Sequence, residues 1–296
     1  MAAVAMSGLL GLVGLRSAAV WRRGPRFPHY VECRKKSTKY LTRSNQPKLA
    51  YRKIKGRSPG IIFLPGFAST MQAHKAVAVE DFCKSIGHSF VRGRNLIGGI
   101  QIWSSGKDGH GFWTQRPFKD FGEEESWKLA FMCKNGEILV GSSMGGWLML
   151  LAALARPNKI AALVGIATGA DYLVTAFKQL PLETKKEIEA KGEWYLPNKH
   201  KNAEFHKIPY TFIKDAENHC VLHSTIPITC PVRLIHGWKD NLIPWQISLN
   251  VAENVLSSDV DLILRKQGQH RMNEKDDVKL ILNTIDDLID KLTTLA

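Results

Sequence analysis

Three polar side chains in this sequence have the types and the order along the chain that nucleophilic acyl transfer needs: Ser143, Asp240 and His270. A serine hydroxyl is a weak nucleophile at neutral pH. It needs a base within hydrogen-bond reach and a carboxylate that keeps the base in the right tautomer. Ser143 is the central residue of Gly141-Ser142-Ser143-Met144-Gly145, a G-x-S-x-G pattern entered from Ile138-Leu139-Val140 and left through the apolar run Trp147 to Ala153. Strand, tight turn and helix are the parts of a nucleophile elbow, which lifts one hydroxyl above a sheet edge. Asp240 closes His236-Gly237-Trp238-Lys239-Asp240, and His270 closes Gln267-Gly268-Gln269-His270. Asp240 is assigned as orienting acid and His270 as general base, with Asp171 as reserve acid and His236 as a structural histidine under the Asp240 loop. The oxyanion formed on attack needs backbone donors. Met144, the residue after the serine, supplies one, and Phe67 of Leu64-Pro65-Gly66-Phe67 the other, because Pro65 has no N–H to give.

These residues need a scaffold that brings loops from distant segments to one edge, and the sequence predicts one. Ile61 to Leu64 is an uninterrupted apolar run closed by Pro65-Gly66 after a turn at Gly56 to Gly60, as in a strand buried on both faces of a parallel sheet. Ala73 to Ile86 has a helical period ending at Gly87, and Tyr51 to Ile54 and Ser89 to Val91 are short strands. Ile160 to Ala167, Pro231 to His236 and Val260 to Leu264 continue the sheet. Ile243 to Leu256 and Lys275 to Leu292 are helices, the last with apolar residues returning every three or four. The fold class is α/β: a mostly parallel sheet flanked by helices. Between Asp171 and residue 228 helices and loops without a strand pattern form an insertion read as a cap, whose Leu173, Val174, Phe177, Leu180, Trp194, Tyr195 and Leu196 either pack on the sheet or line an acyl site. Glycines 141, 145 and 146 suit a turn that needs positive φ and close approach. Residues 92–122 carry no clear period, and Glu123 to Lys134 reads as a helix.

Composition removes competing functions. The 296-residue chain carries a net charge of +14, with 41 basic and 27 acidic residues. Residues 1 to 58 hold 14 Lys/Arg against Glu32 alone, so they account for +13; the other 27 basic and 26 acidic residues sum to +1. A nucleic-acid face would need basic clusters in the folded body, and the body is nearly neutral. The apolar start (Leu9, Leu10, Leu12, Val13, Leu15) followed by Arg16, Arg22, Arg23 and Arg26 has the make-up of a mitochondrial transit peptide spanning about residues 1–40. No apolar run is long enough for an integral membrane span. Five cysteines at wide spacing form no C-x-x-C pair, and His219, Cys220, His223 and Cys230 have only one short ligand step, so no metal site is expected. Ser104-Ser105-Gly106-Lys107 is not a phosphate loop. Gln101 stands where the first glycine belongs and Asp108 where Ser or Thr should follow the lysine.

From about Leu49 to the C-terminus the chain resembles the α/β-hydrolase superfamily. Its runs Ser58 to Phe63, Gly141 to Leu150, His236 to Asp240 and Thr284 to Lys291 resemble a mitochondrial branch that hydrolyses palmitoyl thioesters and acyl glucuronides. The resemblance implies that Ser143, Asp240 and His270 fall on a catalytic triad and that no metal or organic cofactor is used. It also implies acyl esters or S-acylated proteins as substrates and a mitochondrial location; the matrix and a monomer are separate expectations, and no residue in the sequence decides the oligomeric state. The chain departs from that pattern at 92–136, where Arg92-Gly93-Arg94-Asn95 replaces a D-x-x-G-x-G-x-S type loop and likeness resumes at Glu137. A shifted reading frame or an alternative exon would leave that interval. A hydrolase-fold binding protein without turnover is the competing expectation if the interval spoils the sheet edge.

Overall fold

A computed structural model describes residues 38–41, 49–67, 69–93, 136–197 and 205–294. The ten strands described are β1 Lys39–Leu41, β2 Leu49–Ile54, β3 Arg57–Leu64, β4 His88–Gly93, β5 Glu137–Ser142, β6 Ile160–Ile166, β7 Glu193–Pro197, β8 Phe205–Pro209, β9 Val232–Gly237 and β10 Val260–Arg265. The helices are α1 His74–Ile86, α2 Met144–Ala155, α3 Tyr172–Lys178, α4 Leu182–Lys191, α5 Tyr210–Glu217, α6 Gln246–Asn254 and α7 Lys275–Thr294. The glycine-rich 94–122 interval, the helix expected at 123–134 and nearly all of the expected transit peptide lie outside the described residues. β1 begins at Lys39, within the last residues given to that peptide.

Eight strands form one sheet in the order β1-β2-β4-β3-β5-β6-β9-β10. β1 and β2 run antiparallel to their neighbours, and from β4 to β10 all pairings are parallel. The central strands alternate between two buried cores. Ile62, Leu64, Leu139, Leu163 and Leu234 face the side that holds Trp147, Met149 and Val251. Ile61, Phe63, Ile138, Val140, Val164 and Ile235 face Ala76 and Val79 of α1 and Ile281, Ile285 and Leu288 of α7. Both faces are covered, and that is why these strands read as unbroken apolar runs.

Three expectations are corrected. The turn placed at Gly56 to Gly60 is shorter, because β3 already starts at Arg57; its ladder to β4 skips from Arg57 to Ile61, which leaves Pro59 at an irregularity where no N–H is needed. The segment between β6 and β9 does contain strands: β7 and β8 pair as a two-stranded antiparallel sheet, with Trp194 buried and Tyr195 exposed. The helix expected from Ile243 begins at Gln246, since Pro244 disfavours the helical backbone at the residue before it.

Candidate active site

Ser143 occupies the turn between β5 and α2 with φ 57° and ψ −122°, a backbone state that a serine adopts only when its surroundings impose it. Three backbone bonds impose it. The Ser143 amide donates to Ile166 O at 2.9 Å, and its carbonyl accepts from Gly146 N at 2.9 Å and Gly169 N at 3.0 Å. The positive φ expected of the flanking glycines therefore falls on the serine itself. Close approach is what the glycines provide: a Cβ on Gly145 would lie 2.1 Å from Leu64 O, and one on Gly141 would lie 2.4 Å from Gly145 O. Met144 opens α2, so its amide is one of those that has no intrahelical acceptor and points out of the helix N-terminus. Phe67 follows Gly66 in the loop after β3, and a Cβ on Gly66 would stand 3.0 Å from Ser143 Cβ and 3.6 Å from its Oγ, so this loop lies against the serine.

Asp240 and His270 come from the loops after β9 and β10, and those loops are locked together. Trp238 N donates to Arg265 O at 2.8 Å, Lys239 N donates to Gly268 O at 2.9 Å, and a Cβ on Gly237 would meet the Gly268 backbone at 2.4 Å. His270 Nδ1 lies 2.7 Å from Asp240 Oδ2. The other carboxylate oxygen accepts from the Leu242 and Ile243 amides, both at 2.9 Å. His236 Nε2 approaches Oδ2 as well, at 3.1 Å. The Asp240 side chain is fully buried while His270 is 15% exposed, so the acid is shielded and the base faces outward. Burial alone would push the Asp240 carboxyl up. Hydrogen bonds from His236 and His270, the His270 charge and the Ile243 amide outweigh it and hold the carboxyl well below the ordinary carboxylate range.

The structure thus brings Asp240 and His270 into contact and sets Ser143, Met144 and Phe67 at the ends of β5 and β3 on the same strand-terminal edge of the sheet. It forms no hydrogen bond between Ser143 Oγ and His270 among the described residues; in unliganded sites such bonds are often long until substrate arrives. Asp171 is used otherwise. Its carboxylate accepts from Val221 N and Leu222 N at 2.8–3.0 Å, and burial raises its pKa against the pull of those amides. His236 lies under the Asp240 loop as expected, and it does more than pack there: it bonds Asp240 and, through Nδ1 at 2.7 Å, Ser248. One group near the base carries no mark in the sequence. Lys75 of α1 donates to Arg271 O, next to His270, and burial with the nearby Arg271 charge lowers its pKa to about 8. Nothing local marks it, because the residues around it come from a loop almost 200 positions away.

A parallel sheet with an antiparallel first edge, a serine in a strained strand-to-helix turn and an Asp–His pair on the two following strand ends define an α/β hydrolase. No family model matches the chain. The mouse protein named palmitoyl-protein thioesterase ABHD10, mitochondrial, is 52% identical over 281 residues, covering 95% of this chain and 92% of the relative. The human protein of the same name is 49% identical over 280 residues, covering 94% and 88%. The solved structure of α/β-hydrolase domain-containing protein 10 from mouse superposes with a TM-score of 0.74 at 53% identity, covering 86% of this chain and 99% of that one. Est1E from Butyrivibrio proteoclasticus shares the fold, with a TM-score of 0.66 at 17% identity. The chain belongs to the ABHD10 family of palmitoyl-protein thioesterases and is an ester or thioester hydrolase. No helix among the described residues is long and apolar enough to cross a membrane.

Proposed function

We propose that the chain hydrolyses long-chain acyl thioesters and esters through an acyl-enzyme on Ser143. The observation that carries this reading is the 2.7 Å bond from His270 to a buried, ionised Asp240, on loops fixed to each other beside the strained serine. Ser143 Oγ attacks the acyl carbonyl and gives its proton to His270, whose other ring proton Asp240 holds. The Met144 and Phe67 amides bind the oxyanion. The intermediate collapses, the thiolate or alkoxide leaves with the proton from His270, and a water deprotonated by His270 then releases the carboxylic acid. S-palmitoylated proteins are one substrate class, which the names of the mouse and human relatives support; acyl glucuronides are the second, because they too present an acyl ester carbonyl to the same nucleophile.

The segment 171–228 acts as a cap, with Phe177 packed edge-on to Trp194 at 5.9 Å and against Tyr210 at 5.7 Å over the sheet. The protein works in mitochondria, in the matrix, with the basic N-terminal segment as its address; the mitochondrial name of the mouse relative supports the compartment. A fluorophosphonate probe tests the nucleophile: labelling of the wild type that disappears in Ser143→Ala supports the reading. A folded wild type that takes no label would overturn it in favour of a binding protein without turnover. Paired S-acyl and O-acyl substrates of one chain length then separate thioesterase from esterase preference.

A further inference from the structure

Asp240 Oδ2 is shared by two imidazoles, and only one of them faces outward. His270 Nδ1 approaches it at 2.7 Å and His236 Nε2 at 3.1 Å, and the His236 side chain is completely buried. His236 Nε2 also faces Ile243 O at 3.1 Å. With a carboxylate and a carbonyl as its neighbours, that nitrogen must carry a proton. In the neutral ring Nδ1 is then an acceptor, and the Ser248 hydroxyl, 2.7 Å away and buried in α6, is the donor that fills it. A serine on a helix thus fixes the tautomer of a histidine on β9. That histidine in turn presents an N–H to the carboxylate oxygen used by the base. The chain Ser248, His236, Asp240, His270 is continuous and runs from the interior to the site.

We infer that His236, backed by Ser248, is a positioning residue of this hydrolase: it fixes Asp240 Oδ2 toward His270 and takes up part of the carboxylate's charge, and so sets the pH at which the base becomes free to act. The inference rests on the triad reading given above. Without the His236 N–H, Asp240 would attract the His270 proton more strongly, and the base would stay protonated to higher pH. The other groups in electrostatic reach are Lys75 of α1 and Tyr172 of α3, both coupled to Asp240, with Arg271 beside Lys75 and Asp277 of α7 acting on Lys75. The variants below leave all four unchanged.

Two replacements of His236 separate geometry from bulk. In His236→Gln the side-chain amide reaches the place of Nε2 and keeps a donor on Asp240; in His236→Asn it reaches only the place of Nδ1 and loses it. The measurement is kcat/KM against pH with p-nitrophenyl octanoate, on proteins whose fold is checked by circular dichroism. His236→Asn should move the acid limb up by about one pH unit while the alkaline plateau holds within severalfold. Ser248→Ala should move it the same way by less, and His236→Gln should restore the wild-type limb. A uniform loss at every pH, or a limb unmoved in folded His236→Asn and Ser248→Ala, would overturn the inference. Should His236→Asn not fold, Ser248→Ala decides alone. The triad reading fails separately, by activity that survives Ser143→Ala.

Discussion

Replacing Asp240 by Asn removes one proton's worth of charge and no volume, yet the hydrogen bonds around it leave the new side chain no good orientation. The carboxylate has four donors: the Leu242 and Ile243 amides on Oδ1 and the two histidines on Oδ2. Backbone amides cannot become acceptors, so the carbonyl of the introduced carboxamide must stay with them and its NH2 must face the histidines. His236 has no clean way to accept from that NH2, because an unprotonated Nε2 would face the Ile243 carbonyl at 3.1 Å. His270 can adapt only by accepting at Nδ1 and carrying its proton on Nε2, which is the nitrogen that must take the proton from Ser143. A base held in that tautomer costs about 10⁴-fold in turnover, or about 5 kcal/mol of transition-state stabilisation. Pre-steady-state acylation with an acyl thioester reads that step directly, and thermal unfolding monitors the fold. The reasoning fails if folded Asp240→Asn acylates within tenfold of wild type.

Asp171→Asn should leave turnover within tenfold, and Asp171→Ala should lower stability by about 2 kcal/mol through the lost Val221 and Leu222 bonds, read by urea unfolding. Loss of turnover in Asp171→Asn with Asp240→Asn still active would exchange the two assignments. Gly145→Ala should cost about 3 kcal/mol or abolish folding, because its methyl would meet the Leu64 carbonyl, which is backbone and cannot swing away; a neutral melting temperature would show that the turn has slack. Lys75 has its folded pKa lowered from 10.5 to about 8, so between those values the unfolded chain binds more protons and stability rises with pH. Below about 8 the whole cost of burying the charge is present. The unfolding free energy of wild type should therefore rise relative to Lys75→Met across that window, and parallel curves would contradict the assignment.

Much of the fold was legible because burial on two faces leaves an unmistakable pattern. Ile61 to Leu64 and Ile138 to Val140 are apolar without alternation since one set of side chains packs on Trp147 and Met149 and the other on α1 and α7. The β7–β8 pair leaves little trace in the sequence because its two strands are short and paired with each other rather than with the main sheet. Its signal was the Trp194-Tyr195-Leu196 run, rich in strand formers. At the site, residue order selected Ser143 and His270, but Asp171 and Asp240 both follow strands and both suit an orienting acid. What separates them is tertiary: one carboxylate is taken by the Val221 and Leu222 amides and the other by two imidazoles. The strain at Ser143 was equally hidden, since nothing local shows that Ile166 and Gly169 would hold it there.

The central claim is that Ser143 carries the acyl group between two half-reactions. Rapid acid quench of the enzyme turning over a palmitoyl thioester, followed by peptide mass spectrometry, tests it. The account predicts one palmitoyl group on the peptide containing Ser143, formed within the first turnover and missing in Ser143→Ala. Hydrolysis at wild-type rate by Ser143→Ala, or a palmitoyl adduct on a different residue with Ser143 unmodified, would contradict it.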